Sequence, residues 1–185
     1  TSTVSPYPAL LHNYVLAKKW DDALKLARFV KDDAVWAVLA GMASAGRNLE
    51  TAEVAYAAIN QADKVHYINH IKNIPVKEAQ QAEMALLSGN AAAAEQQLLQ
   101  AGLQFRALML HVTLHNWERA LTIALRYNSH VDTVLAYRKK YLNRFGNNET
   151  LSLFLQHQDK VENNWSKVQA AVEAEYQKER ERPTK

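Results

Sequence analysis

Apolar residues recur at helical spacing along nearly the whole chain, and they nowhere alternate over a length that would make a strand. Pro6 and Pro8 open a first helix, expected around Ala9–Lys18, with Leu10, Leu11, Tyr14 and Val15 on one face. Asp21 and Asp22 put negative charge at the start of a second, which carries Ala23, Leu24, Leu26, Ala27 and Val30. Asp32 and Asp33 start a third. It is apolar nearly all round from Ala34 to Ala45, the pattern of a helix buried between neighbours. Gly46 and Asn48 mark its stop and the next start.

Shorter pieces follow at about 49–60, 62–73, 76–88, 91–101 and 103–115. Pro75 stands where proline is tolerated, in the first turn of a helix. Gly89 and Gly102 stand where a left-handed cap ends one. Helices at about 117–128 and 130–145 come next, closed by Gly146. From Asn148 onward the chain reads as helix again, with a break near Asn163 and Asn164. Connections of two or three residues force consecutive helices to pack as antiparallel neighbours.

Trp20-Asp-Asp-Ala-Leu-Lys-Leu-Ala27 parallels Trp117-Glu-Arg-Ala-Leu-Thr-Ile-Ala124, and Leu49-Glu-Thr-Ala52 and Ala91-Ala-Ala-Ala94 place alanine equivalently. Alanine at such a position lets two helix axes approach while a large neighbour fills the gap. The starts at 20, 49, 91 and 117 keep no strict period, yet the helix-pair logic is that of tetratricopeptide arrays. The expected fold is all-α: an irregular α-solenoid of antiparallel helix pairs, tetratricopeptide-like, with about 10–12 helices. Residues 1–8 form a lead-in, 9–146 the solenoid, 147–182 C-terminal helices that cap the array or pair with a partner, and 183–185 a tail.

Composition agrees with this reading and narrows it. Of the residues, 48% are hydrophobic, alanine and leucine dominate, and there are five glycines, four prolines and no cysteine. Disordered, collagenous and disulfide-stapled classes are thereby excluded. An absence of cysteine fits a reducing compartment. Thr1 to Pro8 carry neither a basic start nor a long apolar core, so no secretory signal is visible. The longest apolar-looking run, Ala34 to Gly46, is too short to span a bilayer and is interrupted by Ser44. The chain begins without methionine, so a fragment of something longer is expected.

Glycines never lie within four residues of one another, which removes phosphate-binding and dinucleotide loops. No nucleophile elbow occurs, and thiol catalysis needs a cysteine. Trp20-Asp21 is a Trp-Asp dipeptide in helical surroundings, so it does not mark a propeller blade. His66/His70 and His111/His115 are spaced i,i+4, each pair on one helix face, where two ligands of a zinc site could sit. Neither pair contains the glutamate of His-Glu-x-x-His. Their expected place is a helix–helix seam, one ring nitrogen bonded and the other wet. No catalytic residue, cofactor or metal site is expected.

The net charge of +3 is unevenly placed. Residues 1–100 hold nine Lys/Arg against ten Asp/Glu, and residues 101–185 hold thirteen against nine. The excess includes Arg138, Lys139, Lys140 and Arg144, which read as a solvated helix face or as a patch for an acidic partner. Tyr137 and Tyr141 interleave with this run but share one face with Val134, pointing inward; the chain lacks a nucleic-acid footprint. Near the end, Val161, Trp165, Val168, Val172 and Tyr176 form a coiled-coil-like stripe. Such a stripe caps its own array or meets a partner helix. The candidate partner-binding residues are therefore Arg138, Lys139, Lys140, Arg144, Trp165, Val168, Val172 and Tyr176.

Several short stretches carry a family resemblance. They are Ser5-Pro-Tyr-Pro-Ala-Leu-Leu-His12, Arg28-Phe-Val-Lys-Asp32, Thr51-Ala-Glu-Val-Ala-Tyr-Ala-Ala-Ile59 and Asp63-Lys-Val-His-Tyr-Ile68. With them go Leu87-Ser-Gly-Asn90, Leu98-Leu-Gln-Ala-Gly102, Asn116-Trp-Glu-Arg-Ala-Leu121 and His130-Val-Asp-Thr-Val-Leu-Ala-Tyr-Arg138. In order and approximate spacing, over residues 5–150, the chain resembles the family of intraflagellar transport protein eighty. Beyond about Leu151 the likeness is looser. That family joins two WD-repeat β-propellers to a helical, tetratricopeptide-like C-terminal region, and this chain resembles that region alone. The resemblance implies a non-catalytic scaffold subunit of intraflagellar transport complex B, needed for assembly and anterograde transport in cilia and flagella. It implies other complex B subunits as partners, with a homodimer also possible, and no nucleic acid or direct membrane insertion. The implied location is the cilium or flagellum and basal body, on the cytoplasmic side. The alternative is a coat-like or tetratricopeptide-type adaptor, a complex A or vesicle-coat relative that binds a peptide or partner subunit. Its groove would need repeated Asn, Lys or Arg at equivalent positions, and Arg28, Arg106, Arg119 and Arg126 do not supply that.

Overall fold

A computed structural model describes residues 4–160 and 164–182. Among them are twelve α-helices and no strand. They are α1 (Tyr7–Leu16), α2 (Trp20–Val30), α3 (Asp33–Ala45), α4 (Leu49–Ala58), α5 (Ala62–Lys72) and α6 (Lys77–Leu87). Then come α7 (Ala91–Gln100), α8 (Gln104–Thr113), α9 (Trp117–Arg126), α10 (Val131–Phe145), α11 (Ser152–His157) and α12 (Trp165–Arg180). A 3-10 turn, Gln158–Lys160, follows α11. The all-α, tetratricopeptide-like expectation holds. Val161 and Asn163 lie outside the described residues, as do the first three residues and the last three.

The chain divides into two compact units, Thr1–Ile74 with Gln80–Ala94, and Pro75–Ala79 with Glu95–Lys185. In the first, α3 packs most extensively on α4, α4 on α5, and α1 on α2. Its main core gathers Leu11, Ala23, Ala27, Val35, Trp36, Leu39, Ala40 and Ala55. In the second unit α8 packs on α9, α9 on α10, and α10 on α12. Its core gathers Phe105, Leu108, Val112, Trp117, Leu121, Ile123, Val134, Leu135 and Phe154 among others. The alanines sit where the sequence parallels put them: Ala23, Ala27, Ala52, Ala94, Ala120 and Ala124 are fully buried. Trp20 and Trp117 are the first residues of α2 and α9.

The helices are delimited by a recurring backbone device. A residue with positive φ stands two positions before a helix start at Lys18, Lys31, Arg47, Asn60, Gly89, Gly102 and His115. Positions 18 and 31, 47 and 60, 89 and 102, 102 and 115, and 115 and 128 are each thirteen apart. At most of them the next N–H reaches a carbonyl five residues back, as Asn48 to Ala43, Gln61 to Tyr56, Leu103 to Leu98 and Asn116 to His111. This is the Schellman closure, which satisfies orphan carbonyls at the helix end. Only two of those seven residues are glycine. The side chains of Asp32, Asn48 and Asn90 then cap the following helices, accepting from the N–H groups of Ala34, Thr51 and Ala93.

Two expectations fail for physical reasons. Helix α3 is not buried all round: Val35, Trp36, Leu39, Ala40, Ala43 and Ser44 are buried, whereas Ala34, Ala37, Val38, Gly41 and Ala45 face outward. Most of the outward residues are small, so exposing that face sacrifices little apolar burial. Nor is residue 148 helical. The Glu149 carboxylate accepts from the N–H groups of Thr150 and Leu151, holding a turn that delays α11 to Ser152. Asn164, near the expected break, caps α12 by accepting from the Lys167 N–H.

Candidate functional site

Helix α10 carries the basic run, and its 100° steps separate residues that look uniform in sequence. Val134, Leu135, Arg138 and Leu142 are buried, whereas Lys139, Lys140 and Arg144 are exposed. Arg138, only 8% exposed, therefore needs full pairing. It donates through Nε and Nη2 to the two Glu149 oxygens, both at 3.0 Å. Its guanidinium carbon lies 5.6 Å from the Trp117 ring centre, 5.9 Å from Tyr141 and 5.7 Å from Phe154. Burial pushes the Glu149 carboxyl up, but the Arg138 hydrogen bond and the Leu151 and Thr150 N–H groups outweigh it, leaving it below its ordinary value. The structure thus uses Arg138 to tie α10 to the 149–154 segment.

Lys139, Lys140 and Arg144 have no ion-pair partner among the described residues. Lys140 Nζ rests 3.9 Å above the Trp165 ring. Four other cations of this unit are paired with carboxylates: Arg106 with Glu179, Arg119 with Glu95, Lys178 with Glu175, and Arg180 with Glu173.

The stripe on α12 faces its own unit. Val168 is 1% exposed, and Val172 and Tyr176 pack on the core. Trp165 meets the Tyr137 ring edge-on at 5.1 Å, and Tyr176 meets Phe105 at 5.4 Å. Arg106 Nε donates to both Glu179 oxygens, at 2.7 and 2.8 Å, and its guanidinium lies 5.5 Å from the Tyr176 ring centre. His130 Nε2 stands 3.5 Å from Glu175. The Lys178 hydrogen bond leads the contacts that hold the Glu175 carboxyl below its usual range.

The histidines are dispersed. His66 and His70 are exposed, and His70 stacks on Tyr67 rather than lying in a seam. His111 is buried, with Nε2 2.5 Å from Glu95, and its Nδ1 is shielded from solvent with no hydrogen-bond partner among the described residues. No group of three or more His, Asp or Glu among the described residues could hold a metal ion. No helix among them is long and apolar enough to cross a membrane.

Two arrangements escaped sequence reasoning. Glu95 of α7 joins His111 of α8 to Arg119 of α9, and the Arg119 hydrogen bond chiefly lowers its pKa. These three residues come from separate helices, and no local spacing announces them. Where α9 starts and α10 ends, His115, Trp117, Tyr141 and Phe145 form a continuous aromatic edge, with centres 4.8 to 5.7 Å apart. Phe145 is 59% exposed and Leu114 44%. The i,i+4 spacing of Tyr137, Tyr141 and Phe145 was its one sequence signal.

Residues 35–181 match the family model for the IFT80/172/WDR35/WDR19 TPR domain. Intraflagellar transport protein 80 homologs of Mus musculus and Rattus norvegicus are each 50% identical over 180 residues, 97% of this chain. The chain spans 23% of the length of these relatives. The repeated Schellman-closed helix pairs and these matches agree: the chain belongs to the IFT80/172/WDR35/WDR19 TPR-domain family.

Proposed function

We propose that this chain is a non-catalytic scaffold region of an intraflagellar transport complex B subunit, acting in cilia or flagella. The 50% identity over 97% of the chain to intraflagellar transport protein 80 homologs carries this reading. The ordered helix pairs support it by offering outward faces on which other subunits can assemble. In this reading the partners are other complex B subunits, with a second copy of the chain as a further one. The region is needed for complex assembly and anterograde transport, at the basal body and along the cilium on the cytoplasmic side. Lys139, Lys140 and Arg144 are the partner-facing residues, while Arg138, Trp165, Val168, Val172 and Tyr176 hold the surface in shape from within.

Reconstitution tests this directly. The full-length subunit, with and without residues 1–185, is combined with the remaining complex B subunits and resolved by size-exclusion chromatography. Co-elution is expected only with the region present. Equal assembly without it refutes the scaffold role.

A further inference from the structure

The C-terminal half of α10 brings together two features. One is an aromatic and aliphatic edge on which Phe145, His115 and Leu114 are exposed and Tyr141 is half-buried. The other is a pair of exposed cations, Lys140 and Arg144, spaced i,i+4 and beside Tyr141 and Phe145 on the helix surface. Neither cation has a carboxylate partner among the described residues. Glu149, the nearest acid in sequence, is turned inward onto Arg138. Asp159 lines a separate cleft with Lys139, on the opposite flank of the helix. The negative end of the helix dipole, worth roughly half a charge, does not cancel two full positive charges. The last carbonyls are themselves occupied, because Gly146 and Asn147 donate to Asn143 and Leu142.

Resting on the scaffold reading above, we infer that this edge docks an acidic segment of another complex B subunit. That segment sets an aliphatic or aromatic side chain against Phe145 and Tyr141, and its carboxylates against Lys140 and Arg144. The apolar contact supplies the buried area, and the cations select against neutral and basic segments. The contact weakens as salt rises, since both cations are exposed.

Photo-crosslinking reads the occupant. Phe145 in the full-length subunit is replaced by p-benzoylphenylalanine, the complex is assembled and irradiated, and the crosslinked peptide is sequenced. Its side chain is mostly exposed, so the substitution leaves the fold intact. The expected product is one partner peptide with excess Asp and Glu around an apolar attachment point. Arg144→Glu, which leaves the Lys140 contact with Trp165 in place, should lower crosslink yield several-fold at unchanged thermal stability. A neutral or basic peptide, a crosslink to a second copy of the chain, or co-elution without any crosslink overturns this inference alone. Failure of the unsubstituted subunit to co-elute overturns the scaffold reading, and this inference with it.

Discussion

Gly46 closes α3, and replacing it with alanine sets two physical effects against each other. Its backbone, at φ −78° and ψ 0°, is one that any residue adopts. On backbone entropy alone, Gly46→Ala should stabilise by up to about 0.5–1 kcal/mol. A Cβ built there, however, lies 2.8 Å from both Cζ2 and Cη2 of Trp20 and 3.1 Å from the Met42 carbonyl oxygen. Comfortable carbon–carbon contact is about 3.5–4.0 Å, so the new methyl overlaps two ring atoms by roughly 0.7 Å or more. The indole is rigid and cannot bend away. It packs on two clusters, one around Leu11, Ala27 and Leu39 and one around Ala43, Ala52 and Ile68, so moving it disturbs both. Overpacking of this kind costs about 1–3 kcal/mol, which exceeds the backbone gain. Gly46→Ala should therefore destabilise by about 1–2 kcal/mol.

Urea unfolding followed by far-ultraviolet circular dichroism gives the sign, read as a lower midpoint at unchanged slope. A double-mutant cycle with Trp20→Leu isolates the cause. The alanine penalty should disappear once the indole is gone, giving a coupling of about 1–3 kcal/mol. An alanine variant as stable as the parent, or a penalty that persists in the leucine background, refutes the steric argument.

Three further outcomes follow from backbone conformation and ion pairing. Gly102, at φ +72° with open space around its would-be Cβ, should lose about 1 kcal/mol as Gly102→Ala. Lys31, exposed and left-handed at φ 53°, should gain up to about 1 kcal/mol as Lys31→Gly, both measured by thermal or urea unfolding. Because the folded Glu149 pKa is depressed, its stabilisation is complete above the unfolded value, about 4.3, and is lost as pH falls through the folded one. Glu149→Gln should cost about 2–3 kcal/mol near pH 7 and progressively less as pH falls below 4. A pH-independent difference in unfolding midpoint contradicts the pairing.

The reach of sequence reasoning ended where backbone conformation parts from residue type. Asp32 and Asn48 announced helix starts through their side-chain chemistry, and Gly89 and Gly102 announced helix ends through their conformational freedom. Lys18, Lys31, Arg47, Asn60 and His115 adopt the same left-handed state without announcing it. Each such residue costs about 1–2 kcal/mol, which closure of the helix end and packing of the next helix can override. The thirteen-residue recurrence was hidden for the same reason: it is a rhythm of φ angles on changing residues. On α10, the run Arg138-Lys139-Lys140 declared its charge but not its direction. Its burial depends on Glu149, Trp117 and Phe154, and the last two come from α9 and α11.

The distribution of ion pairs in the second unit bears on how a helical array presents a surface. Two of its least exposed pairs, Arg106 with Glu179 and Arg138 with Glu149, join elements rather than neighbours on one helix. Pairs so deeply placed add little net stability over an apolar packing of equal volume, because desolvation offsets attraction. Their geometric demand is strict, however: one nitrogen reaches both Glu179 oxygens, and two nitrogens reach Glu149. We hold that they fix where α12 and the 149–154 segment lie on α8 and α10, a specificity role rather than an energetic one. A fixed α12 places Trp165 under Lys140, and a fixed Arg138 supports the Tyr141 ring. The exposed edge at Phe145 therefore inherits its shape from buried charges behind it. Substitutions at Arg106, Arg138 or Glu179 should disturb partner binding by displacing that edge, while those at Arg144 should act through charge alone.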